Sequence, residues 1–213
     1  MSETRMAKGL AAMTYVAGDI LLIDDYAGQG DLIGNLIFDG AKARHGAAHN
    51  THSAGVVKTD GTHHGTVLVE AMQNGVERNA MHYKPAQITV VHFDVAADDP
   101  RRAFAVAFWE AAVGEDYGDV DWVGLFVGTL FNWNISIHQN RVPICSELTS
   151  RATESMTKNG WYYSPEEMEP DDIGVEMGLY PAGKPLPVIK RWGLLIQTLY
   201  WAVAPWKHGL KFL

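Results

Sequence analysis

The chain has very little cysteine: Cys145 is the only one in 213 residues. No internal disulfide can form, and a multi-cysteine zinc site is excluded. Basic side chains are also few, 17 Lys and Arg against 25 Asp and Glu, for a formal net charge of −8. That argues against a nucleic-acid surface, which would be basic. No stretch offers the roughly 18 to 20 uninterrupted apolar residues of a membrane-crossing helix. The opening MSETRMAKGLAAMTYVAGD has a short, interrupted apolar run, with Glu3 where a signal peptide would be basic. A cytoplasmic location is therefore the default expectation. Repeats, low-complexity tracts and an interdomain linker are missing too. What remains is 47% hydrophobic and 20% charged, an ordinary globular composition. One domain over residues 1–213 is expected, with core enough to fold without crosslinks.

Local patterns predict the elements. Ile20–Ile23 is a short apolar run after Gly18-Asp19 and reads as a buried strand; Leu32–Ala43 reads as a short helix. His52–Lys58 and Thr66–Ala71 read as strands joined through Asp60-Gly61, and Gln87–Phe93 as a third. Asp99 followed by Pro100 marks a helix start, and Gly114 its stop. A further helix runs from Cys145 to about Lys158, ending near Gly160. Ser164–Asp172, acidic with two prolines, reads as a surface loop, and Val120–Trp133 as an apolar helix or loop beside the site. This order of elements argues for an α+β fold.

Cys145, in VPICSELTSRA, opens its predicted helix. Unpaired N–H groups and the positive end of the helix dipole favour a thiolate there. A thiol of pKa about 8.5 is only about 3% ionised at pH 7, whereas one near ~5 is almost wholly ionised. Upstream, His52 shares a strand face with Ala54 and Val56, and Glu70 shares one with Leu68. A carboxylate inside such an apolar strand is costly unless paired or wet. A hairpin symmetric about Gly61 places residues 52 and 70 opposite each other; a loop reaching Gly65 shifts that register. Nucleophile, base and orienting acid are thus available as Cys145, His52 and Glu70. The plain alternatives are a small buried thiol, a strand-end histidine touching solvent and an edge carboxylate.

His45, His49, His52, His63 and His64 form the other cluster. The first three are spaced for one helix face, but the intervening residues are poor helix formers and His52 belongs to a strand. No metal is expected. The glycine-rich AGQGDLIG lacks the dinucleotide fingerprint and reads as a turn, so no cofactor is expected. Residues 186–213 form an apolar, tryptophan-rich tail with basic flanks, expected to be helical. Such a tail packs on the domain or in a homodimer, or lies on a membrane surface.

Taken in order, GDILLIDD, THSAGVV, VLVEAM, YGDVDW and ICSELTSRA resemble the permuted papain-like amidases, the YaeF/YiiX family of the NlpC-type cysteine peptidase superfamily. Tyr117 and the loop SPEEMEPDDIG resemble further family features, so the likeness runs from the first strand to the acidic loop. The resemblance implies a circularly permuted papain-like fold, a small antiparallel β-barrel or sheet packed against helices, in which the histidine strand precedes the nucleophile helix. It implies Cys145 as nucleophile, His52 as base and Glu70 as third polar member. The expected activity is cysteine-dependent hydrolysis of an amide bond in a peptidoglycan peptide or small acylated amine. Two other functions compete. One is a lipid-directed acyltransferase or thioesterase, although ICSEL differs from the Asn-Cys-Glu-His motif that lecithin:retinol acyltransferase-like enzymes share. The other is a non-enzymatic binding module with the same cleft.

Overall fold

A computed structural model of the protein describes residues 14–24, 32–72, 74–116, 145–165, 168–181, 183–184 and 190. Within it, β1 (Ile20–Ile23) is buried throughout, as a continuous apolar run requires. It pairs with β2 (His52–Lys58) on one side and β5 (Ile88–Val91) on the other. Adding β3 (Val67–Met72) and β4 (Gly75–Ala80) gives one five-stranded sheet of order β4-β3-β2-β1-β5, antiparallel at every junction. The sheet is open, with β4 and β5 at its edges, and is not closed into a barrel.

Helix α1 (Leu32–His45) follows β1. Helix α2 (Pro100–Ala112) begins where the sequence marks it: the Asp99 carboxylate accepts from the Arg101 amide at 2.9 Å, and Pro100 occupies the first turn. Gly114, at φ 92°, follows its end. Helix α3 (Cys145–Thr153) gives way to a 3₁₀ turn at Glu154–Met156, and α4 (Pro170–Glu176) follows. The fold is α+β.

Two apolar layers divide by strand alternation. On one face Ile20, Leu22, Val69 and Ala71 pack with Ala105 and Trp109 of α2, Cys145 and Leu148 of α3, and Ile173 of α4. On the other, Leu21, Ile23, Ala54, Val56 and Leu68 join Tyr15, Tyr83 and Ile88. Gly55 lets α2 approach: a Cβ there would lie 2.4 Å from the Trp109 ring. The indole in turn donates to the Leu148 carbonyl at 3.1 Å, tying α2 to α3.

Gly18-Asp19 has a structural reason. The Asp19 carboxylate, wholly buried, accepts from Arg102 at 2.8 Å and lies 2.8 Å from His92 Nδ1. Arg102 spends its other donors on the carbonyls of Ala17, Phe93, Val95 and Ala96. Gly18, at φ 92°, passes so close that a Cβ would meet the Arg102 Cβ at 2.9 Å.

Several expectations change. β4 is an additional strand, and β5 is shorter than the expected Gln87–Phe93. The Cys145 helix ends at Thr153 rather than near Lys158. The acidic segment is not a surface loop from Pro170 onward: Asp171 and Asp172 are buried in α4. The start of the glycine-rich run, Tyr117, Val120–Trp133 and the tail at 186–213, Lys190 excepted, lie outside the described residues. Among the described residues, no helix is long and apolar enough to cross a membrane.

Candidate active site

A helix of sequence CSELTSRAT would be expected on the surface, yet every residue of α3 except Arg151 is buried. Its hydroxyls explain how. Ser150 donates to the Glu147 carbonyl at 3.3 Å, Thr153 to that of Thr149 at 2.9 Å, and Ser146 to Met168 at 2.5 Å. Burial therefore strands none of these groups. The helix is fixed against β2 and β3, and its first residue, Cys145, is held 2% exposed at the head of the bundle.

His52 opens β2 and Glu70 lies in β3. Neither sits directly opposite the other: Ala54 faces Glu70 across the ladder. The loop to Gly65 and the bulge between Val56 and Lys58 together move the register two residues from the one symmetric about Gly61, which keeps both side chains on the same face. The contact is diagonal, with His52 Nε2 3.0 Å from Glu70 Oε2.

Glu70 is wholly buried and its charge is answered on both oxygens. The Tyr83 hydroxyl donates to Oε2 at 2.7 Å and the Asn79 amide to Oε1 at 3.1 Å. The exposed face of the cluster carries His82, whose Nε2 is 3.8 Å from Oε1 and whose ring lies 4.1 Å from that of Tyr83. Burial pushes the Glu70 carboxyl up, but the bonds from His52, Tyr83 and Asn79 together hold it down at about 2. An ionised carboxylate can only accept, so His52 Nε2 carries the proton facing it. Nδ1 is the ring nitrogen left for Cys145.

Cys145 and His52 interact, and each favours the charged form of the other. Burial disfavours charge on His52, but the Cys145 thiolate and the bonds to Cys145 and Glu70 outweigh it and raise the imidazole to about 10. Burial likewise resists ionisation of Cys145, and the imidazolium with the Ser53 donors overcomes it, so the thiol falls below its ordinary range. Both shifts favour a thiolate–imidazolium pair over the neutral thiol and imidazole. All three residues singled out from the sequence meet in one place.

Tyr83, Asn79 and Ser53 were not among them. Asn79 depends on β4, whose GVERNA has little apolar content; its one sequence signal is Asn74-Gly75, a hairpin dipeptide. Tyr83 lies just past that strand and had no pattern of its own.

The remaining histidines do other work. His45 ends α1 and binds Asp172 at 2.6 Å, with Arg44 on the same carboxylate. His49, beyond the helix, stacks on Tyr180 at 4.3 Å. His63 Nδ1 meets the Tyr15 hydroxyl at 2.9 Å. Among the described residues no group of three or more His, Cys, Asp or Glu is arranged to hold a metal ion. Asp171 accepts from the amides of His49 and Asn50 at 2.7 and 2.9 Å and from the Asn50 side chain at 2.8 Å, fixing the chain just before His52.

The arrangement offers a nucleophile, a proton carrier and a fixed counter-charge. A scan against models of known protein families finds no match, and no curated protein sequence matches the chain.

Proposed function

We propose that the protein is a cysteine-dependent hydrolase of amide bonds, built on a circularly permuted papain-like fold and related to the YaeF/YiiX amidases. The observation that carries this reading is the Cys145–His52–Glu70 constellation: His52 Nε2 stands 3.0 Å from the buried Glu70 carboxylate, and the charge on His52 lowers the buried Cys145 thiol. The order of the parts supports the permutation: the histidine strand comes first, and the cysteine helix later packs on the same sheet.

The Cys145 thiolate attacks the substrate carbonyl, and the Cys145 N–H, at the first position of α3, faces the developing oxyanion. Imidazolium Nδ1–H protonates the departing amine as the C–N bond breaks, leaving a thioester. Neutral His52 then takes a proton from water, which attacks the thioester; the thiolate leaves and the imidazolium is restored. Throughout, Glu70 holds Nε2–H and so keeps Nδ1 turned to the sulfur. The substrate is a small acylated amine or a peptide; no cofactor takes part.

The test is the pH dependence of Cys145 alkylation by iodoacetamide in the wild type and in His52→Ala, joined to amidase turnover in Cys145→Ala. A thiol pKa well below 8.5 that rises in His52→Ala, with no turnover from Cys145→Ala, supports the reading. A slow thiol indifferent to His52, or full turnover without the sulfur, ends it.

A further inference from the structure

Glu70 and Glu77 stand directly opposite each other on the β3–β4 ladder, with both side chains on one face of the sheet. Like charges placed in this way repel. Asn79, opposite Leu68, shares that face. Its Nδ2 donates to Glu70 Oε1 at 3.1 Å and lies 3.5 Å from Glu77 Oε2. An ionised carboxylate only accepts, so the NH₂ end of the amide is the end that faces both acids. Arg78, the one cation in the β4 sequence, points to the other face and pairs with Glu110 of α2 at 3.4 Å.

The other groups around the Glu70 carboxylate come from β2 and from the residues after β4. His52 and Tyr83 lie on Oε2, at 3.0 and 2.7 Å, and His82 Nε2 is 3.8 Å from Oε1. Asn79 thus gives Oε1 its hydrogen bond, as His52 and Tyr83 do for Oε2. A neutral amide suits this place. It has two N–H groups, enough for both acids, and it does not titrate. A Lys or Arg there would pair with Glu70 and draw its charge away from the imidazole. The amide satisfies the oxygen and leaves the charge to His52.

We infer that Asn79 is a positioning residue of the proposed active site: its amide, set between two opposed carboxylates, holds Glu70 turned to His52 against the repulsion of Glu77. This rests on the reading of Glu70 as the orienting acid of a cysteine hydrolase. The contacts themselves stop at His52 and do not involve the sulfur.

The sign of one measurement separates a positioning amide from a mere donor. A carboxylate that loses a donor but stays in place is a better acceptor for those that remain, and would hold the His52 Nε2–H more tightly. A carboxylate that turns away under the push of Glu77 frees that proton. Asn79→Ala is therefore expected to speed exchange of the His52 Nε2–H with water roughly tenfold, the scale of one hydrogen bond. Glu77→Gln removes the repelling charge, so adding it to Asn79→Ala should bring the rate back towards wild type. A cavity left by the lost side chain would not be mended in that way. Asn79→Asp keeps the shape of the side chain but puts a third acid where the donor was, and should also speed the exchange.

The experiment is NMR-detected exchange of the His52 Nε2–H at neutral pH, in the full chain carrying [15N]histidine. The resonance is identified by its absence in His52→Ala, and each variant is first shown to be folded by its thermal transition. Faster exchange in Asn79→Ala, reversed at least in part by Glu77→Gln, supports the assignment. Unchanged or slower exchange overturns it, and so does a rise that Glu77→Gln leaves untouched. A wild-type proton already exchanging freely overturns it as well, because Glu70 then holds nothing. Should Asn79→Ala fail to fold, unchanged or slower exchange in Asn79→Asp decides against the assignment and faster exchange decides for it. An ordinary Cys145 thiol in iodoacetamide alkylation is a different result: it removes the hydrolase reading and leaves Asn79 its hold on Glu70.

Discussion

His52 Nε2 and Glu70 Oε2 stand 3.0 Å apart on a diagonal of the β2–β3 ladder, and the same oxygen takes the Tyr83 hydroxyl at 2.7 Å. Two donors converge on one oxygen, which accepts both through its two lone pairs.

Glu70→Gln removes the negative charge that favours the imidazolium in either orientation of the amide, and the orientation that turns its NH₂ to His52 also removes the acceptor that fixes the Nε2–H tautomer. Amidase turnover is expected to drop on the order of 10²- to 10⁴-fold, the scale of a lost acid–base catalyst. Tyr83→Phe removes one donor but keeps the ion pair, so a loss of about tenfold is expected. Parallel measurements of kcat and of Cys145 alkylation check both; wild-type rates in Glu70→Gln would exclude this carboxylate from the mechanism.

The site also predicts how stability follows pH. The Glu70 carboxyl is lowered from 4.5 to about 2, so its contribution is complete above about pH 4.5 and is lost as the pH falls through about 2. His52 is raised from 6.5 to about 10; its contribution is complete below 6.5 and is lost as the pH rises through about 10. The Cys145 thiol is lowered from 9.0 and acts with the opposite sign: its contribution is present above 9.0 and fades as the pH falls towards the lowered value. Below 9.0 and above 6.5 the last two offset each other wherever the folded thiol is already ionised, because the ion pair binds the same number of protons as a neutral thiol and imidazole. Urea midpoints measured against pH should therefore show an acid loss from Glu70, removed in Glu70→Gln, and a flat stretch near neutrality from the pair.

Arg102→Met is the expected weak point of the scaffold. It leaves the Asp19 carboxylate buried without its guanidinium and frees the carbonyls of Ala17, Phe93 and Ala96. Loss of one partner of a buried pair costs about 3–5 kcal/mol. Urea unfolding reads the cost, and adding Asp19→Asn to Arg102→Met should restore part of it. A loss well under 1 kcal/mol would assign the pair no structural role.

The elements most easily read from sequence are those whose cause is local. The Asp99-Pro100 cap and Gly114 bracket α2 as expected, and the four-residue apolar run of β1 leaves no other reading. The three principal site residues were also legible, because each breaks a local pattern: a carboxylate in an apolar strand, a histidine at a strand start, a sulfur at a helix start. The register was not. It depends on how far the loop after Lys58 extends and on the bulge between Val56 and Lys58, which takes one residue of the loop's shift back. Asp171 and Asp172 were misread for a similar reason. Two acids after a proline look solvated until Arg44, His45 and Asn50, more than a hundred residues earlier, are brought to them.

The Asp171 bonds to the His49 and Asn50 amides close loops of 122 and 121 positions, and Ser53 meets Thr149 across 96. The β2–β3–β4 meander needs only neighbouring turns and can form early, while contacts of such long span come late in assembly. A chain that has built its sheet but not yet docked α3 and α4 carries an ordinary thiol. On the proposed reading nucleophilicity is acquired at the last stage of folding, and pulses of iodoacetamide during refolding would date that stage, with labelling at neutral pH faster in the finished protein than in the sheet-only intermediate. If the thiol is the proposed nucleophile, unfinished or broken copies of the protein are in this way chemically quiet: the reactivity of the sulfur belongs to the completed molecule, not to the polypeptide.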